Sequence, residues 1–215
     1  MFCLDSLKTK ARGALAVLIF ASISLPASAN LISNAGFEDP IGFGASFPFT
    51  SNWEGFALGG AGVGNSASMP FGGSQSLELL IDNTAATFAG VFQDIDGLSA
   101  GQTLTFSGWH ASVLDQGGVE IRIEWIDMFD NILGTSGNLV PTIGASYSAF
   151  SLQAIVPESV EYARVVYVVQ SFTGATNQQV FVDDVYLTAV PEPASLALLG
   201  LGLLGLGAAK RKKAI

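Results

Sequence analysis

Between residues 30 and 189, apolar and polar side chains alternate in short runs at period two, broken by clusters of Gly, Asn, Asp and Ser. That spacing predicts half-buried β-strands and no amphipathic helix. Strands are expected near 31–38, 76–82, 87–95, 102–110, 119–127, 148–156, 162–170 and 179–188. Eight such strands fit an all-β sandwich. The segment 40–74 is rich in Gly, Ser and Phe with little pattern, and is read as a long loop or one short strand.

The alternation also assigns faces. Leu104 and Phe106 point one way, and Thr103, Thr105, Ser107 and Trp109 the other. Val119, Ile121, Ile123 and Trp125 form an apolar set opposite Glu120, Arg122 and Glu124, which places Trp125 in the core. In the last strand Asp183 shares a face with Phe181, Val185 and Leu187, so it is expected to point inward. A buried carboxylate needs a cation or several donors. Calcium, an arginine pair with Arg122 or Arg164, N–H donors, or an exposed Asp183 are the alternatives.

The two ends follow a different pattern. Lys8, Lys10 and Arg12 precede an apolar run from Gly13 to Leu25, and Ala27-Ser28-Ala29 supplies a small-x-small site. This is the layout of a secretory signal peptide over 1–29, cleaved after Ala29. At the other end, Pro191-Glu192-Pro193 leads into the apolar stretch 194–209 and then Lys210, Arg211, Lys212 and Lys213. Sixteen helical residues reach about 24 Å, short of the ~30 Å hydrocarbon core. The basic tip is expected to stay cytoplasmic, leaving residues 30–189 outside.

Charge sharpens this division. Residues 30–189 hold two arginines, no lysine and 16 acids, a formal charge of −14. Such a domain repels phosphate backbones, so nucleic acid is excluded as a partner. Cys3 is the sole cysteine and lies in the signal peptide, leaving no disulfide, thiolate nucleophile or cysteine metal site after cleavage.

Pro-Glu-Pro, a short Gly/Leu helix and a basic tail together resemble the PEP-CTERM sorting signal of Gram-negative bacteria. The resemblance implies processing by an exosortase, transient inner-membrane anchoring through the 194–209 helix, and release or display at the surface of an exopolysaccharide-producing, biofilm-forming cell. A second resemblance covers the middle. Asn30-Leu31-Ile32-Ser33-Asn34-Ala35-Gly36-Phe37-Glu38, the run from Phe92 through Ser107, and Phe181-Val182-Asp183-Asp184-Val185-Tyr186-Leu187 are similar to the strands of carbohydrate-binding modules with a galactose-binding-like jelly roll. It implies a jelly-roll β-sandwich over 30–189. It also implies a structural calcium joining first and last strands through Glu38 and Asp183, with carbonyls near Gly72 to Gln75 completing the shell.

For function, catalysis has little to stand on. His110 is the only histidine, and no G-x-S-x-G or phosphate-loop context occurs in the middle. A non-catalytic polysaccharide- or matrix-binding module is expected instead. Its candidate platforms are Trp109 with Thr105 and Ser107, and Trp53 beside Asn52 and Glu54 in the long loop. Each tryptophan has a packing alternative: Trp53 as a plug of the sandwich edge, Trp109 against the loop. A structural biofilm-matrix protein without a specific ligand and a glycan hydrolase are the competing functions.

Overall fold

The computed structural model describes residues 29–43, 52–114 and 118–190. Ala27 and the rest of the signal peptide up to Ser28, and the sorting signal from Pro191 with its 194–209 stretch and basic tip, lie outside the described residues.

Among the described residues, eleven strands follow in chain order: β1 (Gly42–Phe43), β2 (Glu54–Ala57), β3 (Ala61–Ser66), β4 (Ser76–Ile81), β5 (Phe88–Ile95), β6 (Thr103–Leu114), β7 (Val119–Ile126), β8 (Ile132–Thr135), β9 (Ser148–Ile155), β10 (Tyr162–Gln170) and β11 (Gln178–Val190). They form a six-stranded sheet, β1-β2-β5-β10-β7-β8, and a five-stranded sheet, β3-β4-β11-β6-β9. Pairing is antiparallel except between β1 and β2. The result is an all-β sandwich of two sheets, as the alternation predicted.

The core between the sheets is built from the inward set of each strand: Leu77, Leu79 and Ile81 of β4, Val91 of β5, Leu104 and Phe106 of β6, Ile121 and Ile123 of β7, Val165 of β10. Trp125 joins them. Each such side chain contributes about 2 kcal/mol over leaving it in water.

Three expectations need correction. Residues 31–38 form no strand; Asn34 and Phe37 take positive φ values of 49° and 52°, which break a ladder. The segment instead runs beside β11, with Leu31 N–H donating to Leu187 O and Val185 N–H to Ala35 O. The 40–74 segment holds β1, β2 and β3, more than one short strand, because Gly62, Gly64 and Asn65 pair along β4 without an alternating pattern to reveal it. Strand β8 also lies outside the expected strands.

The third correction concerns Asp183. In β11, Val182 stands opposite His110 and Asp183 opposite Trp109, and the register then shifts before Tyr186 meets Ser107. Asp184, at φ 44°, carries the irregularity. Val180, Val182, Val185 and Leu187 therefore face the core. Asp183 stands on the opposite, outer face, and it is buried there by the loop that follows β3.

Candidate functional site

The outer face of the six-stranded sheet carries a groove of about 490 Å³. Its walls are phenylalanines from three segments: Phe56 on β2, Phe88 at the start of β5, and Phe172 after β10. Phe56 lies 6.0 Å from Phe88 and 6.2 Å from Phe92, and Phe88 stacks on Phe172 at 6.4 Å. Gly90, between Phe88 and Phe92, makes room: a Cβ there would come within 2.4 Å of Phe56 Cζ and 2.8 Å of Tyr167 O.

The polar side of the groove comes from β7 and β10. Glu120, Arg122 and Gln170 line it. Arg122 pairs with Glu124 at 2.7 Å and reaches Glu120 at 3.9 Å. Arg164 makes two bonds to Asp94, at 2.7 and 3.0 Å, and lies 4.1 Å over the Phe92 ring. The carboxylate raises the Arg164 pKa against the opposing effect of burial. Both arginines of the 30–189 segment thus stand on this one face, held in a row of alternating charge. Such a row offers donors and acceptors without a large net field.

Sequence reasoning missed this groove. It placed Arg122 on the polar face of its strand but never joined that face to the phenylalanines. A signal was present, since Phe88, Gly90 and Phe92 fall on one face at period two.

The residues singled out from the sequence have different fates. Trp109, Thr105 and Ser107 do share the outer face of the five-stranded sheet, beside Tyr186 and Thr188 of β11. Phe71 stacks on Trp109 at 4.5 Å, and Tyr147 packs on Phe71 at 5.0 Å. The loop therefore occupies one face of the indole, the packing alternative. Trp53 is fully buried, 5.2 Å from Phe37, with its indole N–H donating to Asn34 O at 3.2 Å. A ring with no exposed face cannot stack on a sugar, so Trp53 is a core residue and forms no platform.

Glu38 and Asp183 do meet the same loop. Glu38 accepts from Ser74 N–H at 2.9 Å, Ser74 Oγ–H at 2.6 Å and Gln75 N–H at 3.2 Å, and these donors lower its pKa. Asp183 accepts from Phe71 N–H at 2.8 Å, Gly72 N–H at 3.0 Å and Asp184 N–H at 2.7 Å. Burial nevertheless raises the Asp183 pKa. A Cβ placed on Gly36 would lie 3.6 Å from Asp184 Oδ1, 3.8 Å from Asp183 Oδ1 and 3.9 Å from Glu38 Cγ, so three acidic side chains ring that glycine. Asp184 was not foreseen. Among the described residues no three carboxylate or imidazole groups form a ready-made metal cage. A cation here needs backbone carbonyls as well. The Glu38 and Asp183 carboxylates already accept from N–H or hydroxyl donors, so a cation would have to displace these; the carboxylate oxygens themselves are the donor type a hard ion takes.

His110 points into the core, with Nδ1 2.9 Å from the Tyr167 hydroxyl, and burial pushes its pKa down to about 4. Its neighbours are Phe150 and Tyr167, neither an activated nucleophile.

Residues 189–212 match the PEP-CTERM protein-sorting motif. The chain carries a PEP-CTERM signal. That signal implies processing by an exosortase and an extracellular or cell-surface protein with a C-terminal membrane-anchoring region. No curated protein matches the chain in sequence. Among solved structures, the sandwich is similar to the CBM22-1 xylan-binding domain of Paenibacillus barcinonensis Xyn10C, with 18% identity and a TM-score of 0.55 over 77% of this chain and 97% of that one. A CBM4 structure aligns with 18% identity and a TM-score of 0.53, over 74% and 99%. The enzymatically active domain of tailspike protein 4 from bacteriophage CBA120 aligns with 15% identity and a TM-score of 0.55, covering 75% of this chain. This chain spans only 21% of the tailspike structure. At these identities the likeness establishes the jelly-roll fold.

Proposed function

We propose that this PEP-CTERM protein is a non-catalytic glycan-binding module that holds matrix polysaccharide at the cell surface. The observation that carries the reading is the groove on the six-stranded sheet, walled by Phe56, Phe88 and Phe172 and edged by Arg122, Glu120 and Gln170. Sugar rings present C–H faces that pack on aromatic rings, and their hydroxyls both donate and accept hydrogen bonds. Carboxylate, guanidinium and amide groups beside a phenylalanine wall supply both needs. The fold shared with a xylan-binding domain supports the same reading.

Affinity electrophoresis through gels containing neutral or acidic polysaccharides tests it. Retardation of the parent protein on at least one glycan, lost in Phe56→Ala and Phe172→Ala and kept in Trp109→Ala, is expected. Retardation lost only in Trp109→Ala moves the ligand to the other sheet. No retardation on any glycan favours a matrix protein without a specific ligand, and release of reducing sugar favours a hydrolase.

The calcium ion belongs to this proposal as a structural element. Glu38 and Asp183 would hold it together with backbone carbonyls of the 71–75 loop, in exchange for the N–H donors these carboxylates now accept from. Its contribution there is to neutralise acidic charge and pin the loop to β11.

A further inference from the structure

The end of the sandwich where β11 finishes carries several exposed apolar side chains. Val190, Thr103 and Ile155 stand in one cross-strand row of the five-stranded sheet. Ile126 of β7, opposite Tyr162 and Ile132, closes the six-stranded sheet at the same end. The connections from Ile95 to Thr103 and from Ile155 to Tyr162 pass between the sheets there. Asn30 arrives beside them, its side chain bonded to Leu187 N–H and Val185 O.

The β7–β8 turn projects from this end and is rigidly built. Asp127 Oδ1 accepts from Phe129 N–H at 2.8 Å and Asn131 N–H at 2.9 Å, and Asp130 N–H donates to Asp127 O at 3.1 Å. The Tyr162 hydroxyl donates to Asp130 at 2.9 Å. With its polar groups engaged beneath, the turn presents Met128 and Phe129, which are 72% and 75% exposed. They are the two most exposed large hydrophobic side chains among the described residues. Ile132, Ile155 and Val190, all more than half exposed, lie at the same end of the sandwich. Single exposed apolar residues are ordinary on a soluble domain; an adjacent pair on a braced tip, with three more at the same end, is not.

What covers this end follows from where the chain goes next. The apolar 194–209 stretch begins four residues after Val190, and four extended residues reach about 13 Å. While that stretch is in a bilayer, this end of the sandwich stands within that distance of the lipid surface. We propose that the β7–β8 turn seats the domain on the membrane, with Met128 and Phe129 entering the boundary between headgroups and acyl chains. Asp96, Asp127, Asp130, Glu158 and Glu161 lie in the turns of the same end and repel anionic headgroups, so the preferred surface is zwitterionic. Seating would hold the Pro191-Glu192-Pro193 segment at the membrane surface. It would also point the groove outward, since Phe88, Gln170 and Phe172 lie at the opposite end of the sandwich. The inference rests on the membrane-anchoring region and is independent of glycan binding.

The test uses residues 30–215, the form that signal cleavage leaves and which contains no cysteine, reconstituted in phosphatidylcholine vesicles. A single cysteine, from Met128→Cys at the turn or Ala85→Cys at the far end, is labelled with the environment-sensitive fluorophore NBD. Vesicle flotation first verifies that each variant is anchored. The label at 128 is expected to shift to the blue and to be quenched by doxyl lipids several-fold more than the label at 85. Adding phosphatidylglycerol is expected to weaken that quenching. Equal quenching at the two positions, or stronger quenching with phosphatidylglycerol, overturns the proposal. Because the label alters the tip itself, a second reporter at Ile132→Cys is compared with and without Met128→Ser and Phe129→Ser. Loss of its quenching supports seating, and unchanged quenching overturns it.

Discussion

Phe71 lies on Trp109 with ring planes 20° apart, and the backbone N–H of the same Phe71 is held by Asp183 Oδ2. A carboxylate on β11 thus fixes the loop that covers an indole on β6. Trp109 is therefore a packing residue first. Trp109→Ala is expected to cost about 2 kcal/mol, below the 3–5 kcal/mol of a fully buried aromatic because the ring is only half-buried. Urea denaturation reads that loss, and retardation on a polysaccharide gel should be unchanged. A variant as stable as the parent would show that the stack contributes nothing to folding.

His110 sets an acid limit. Its pKa is pushed from an ordinary 6.5 down to about 4 by burial, so the unfolded chain binds a proton more readily than the folded one. The stability this neutral imidazole permits is present above pH 6.5 and is lost as pH falls toward 4. Denaturation midpoints measured across that window should decline in the parent protein. His110→Gln should flatten that part of the profile, whatever its effect at neutral pH. An unaltered slope in the variant assigns the decline to other groups.

The proposed calcium ion makes a thermal prediction. Chelation with excess EDTA should lower the melting temperature, and free calcium at a hundred times its Kd should add about 2.7 kcal/mol. Glu38→Gln combined with Asp183→Asn should abolish the difference between the two conditions. A parent protein indifferent to EDTA leaves the N–H donors of residues 71, 72, 74, 75 and 184 and the Ser74 hydroxyl as the whole explanation of those carboxylates.

Much of the fold was legible because a strand's faces are written at period two. Seven of the eight expected strands are present near their expected positions, and the inward placement of Leu104, Phe106, Ile121, Ile123 and Trp125 followed from alternation alone. Two of the failures share a cause in backbone dihedrals. Asn34 and Phe37 break the first run through backbone dihedrals, and Asp184 shifts the last by one residue, so Asp183 changed faces. One inserted residue inverts the pattern beyond it, and nothing in the residue types of Asp183-Asp184 announces the insertion.

Composition and order were enough to separate the basic, apolar ends from an acidic middle and to specify a sandwich, because charge, hydropathy and alternation are properties of neighbouring residues. Which surfaces these neighbours build is a long-range matter. Phe56, Phe88, Arg122 and Phe172 meet only because β2, β5, β10 and β7 lie side by side, an order that pairing between distant segments determines. The same holds for the turn of Met128 and Phe129, whose place at the end where β11 finishes depends on two sheets closing over one core.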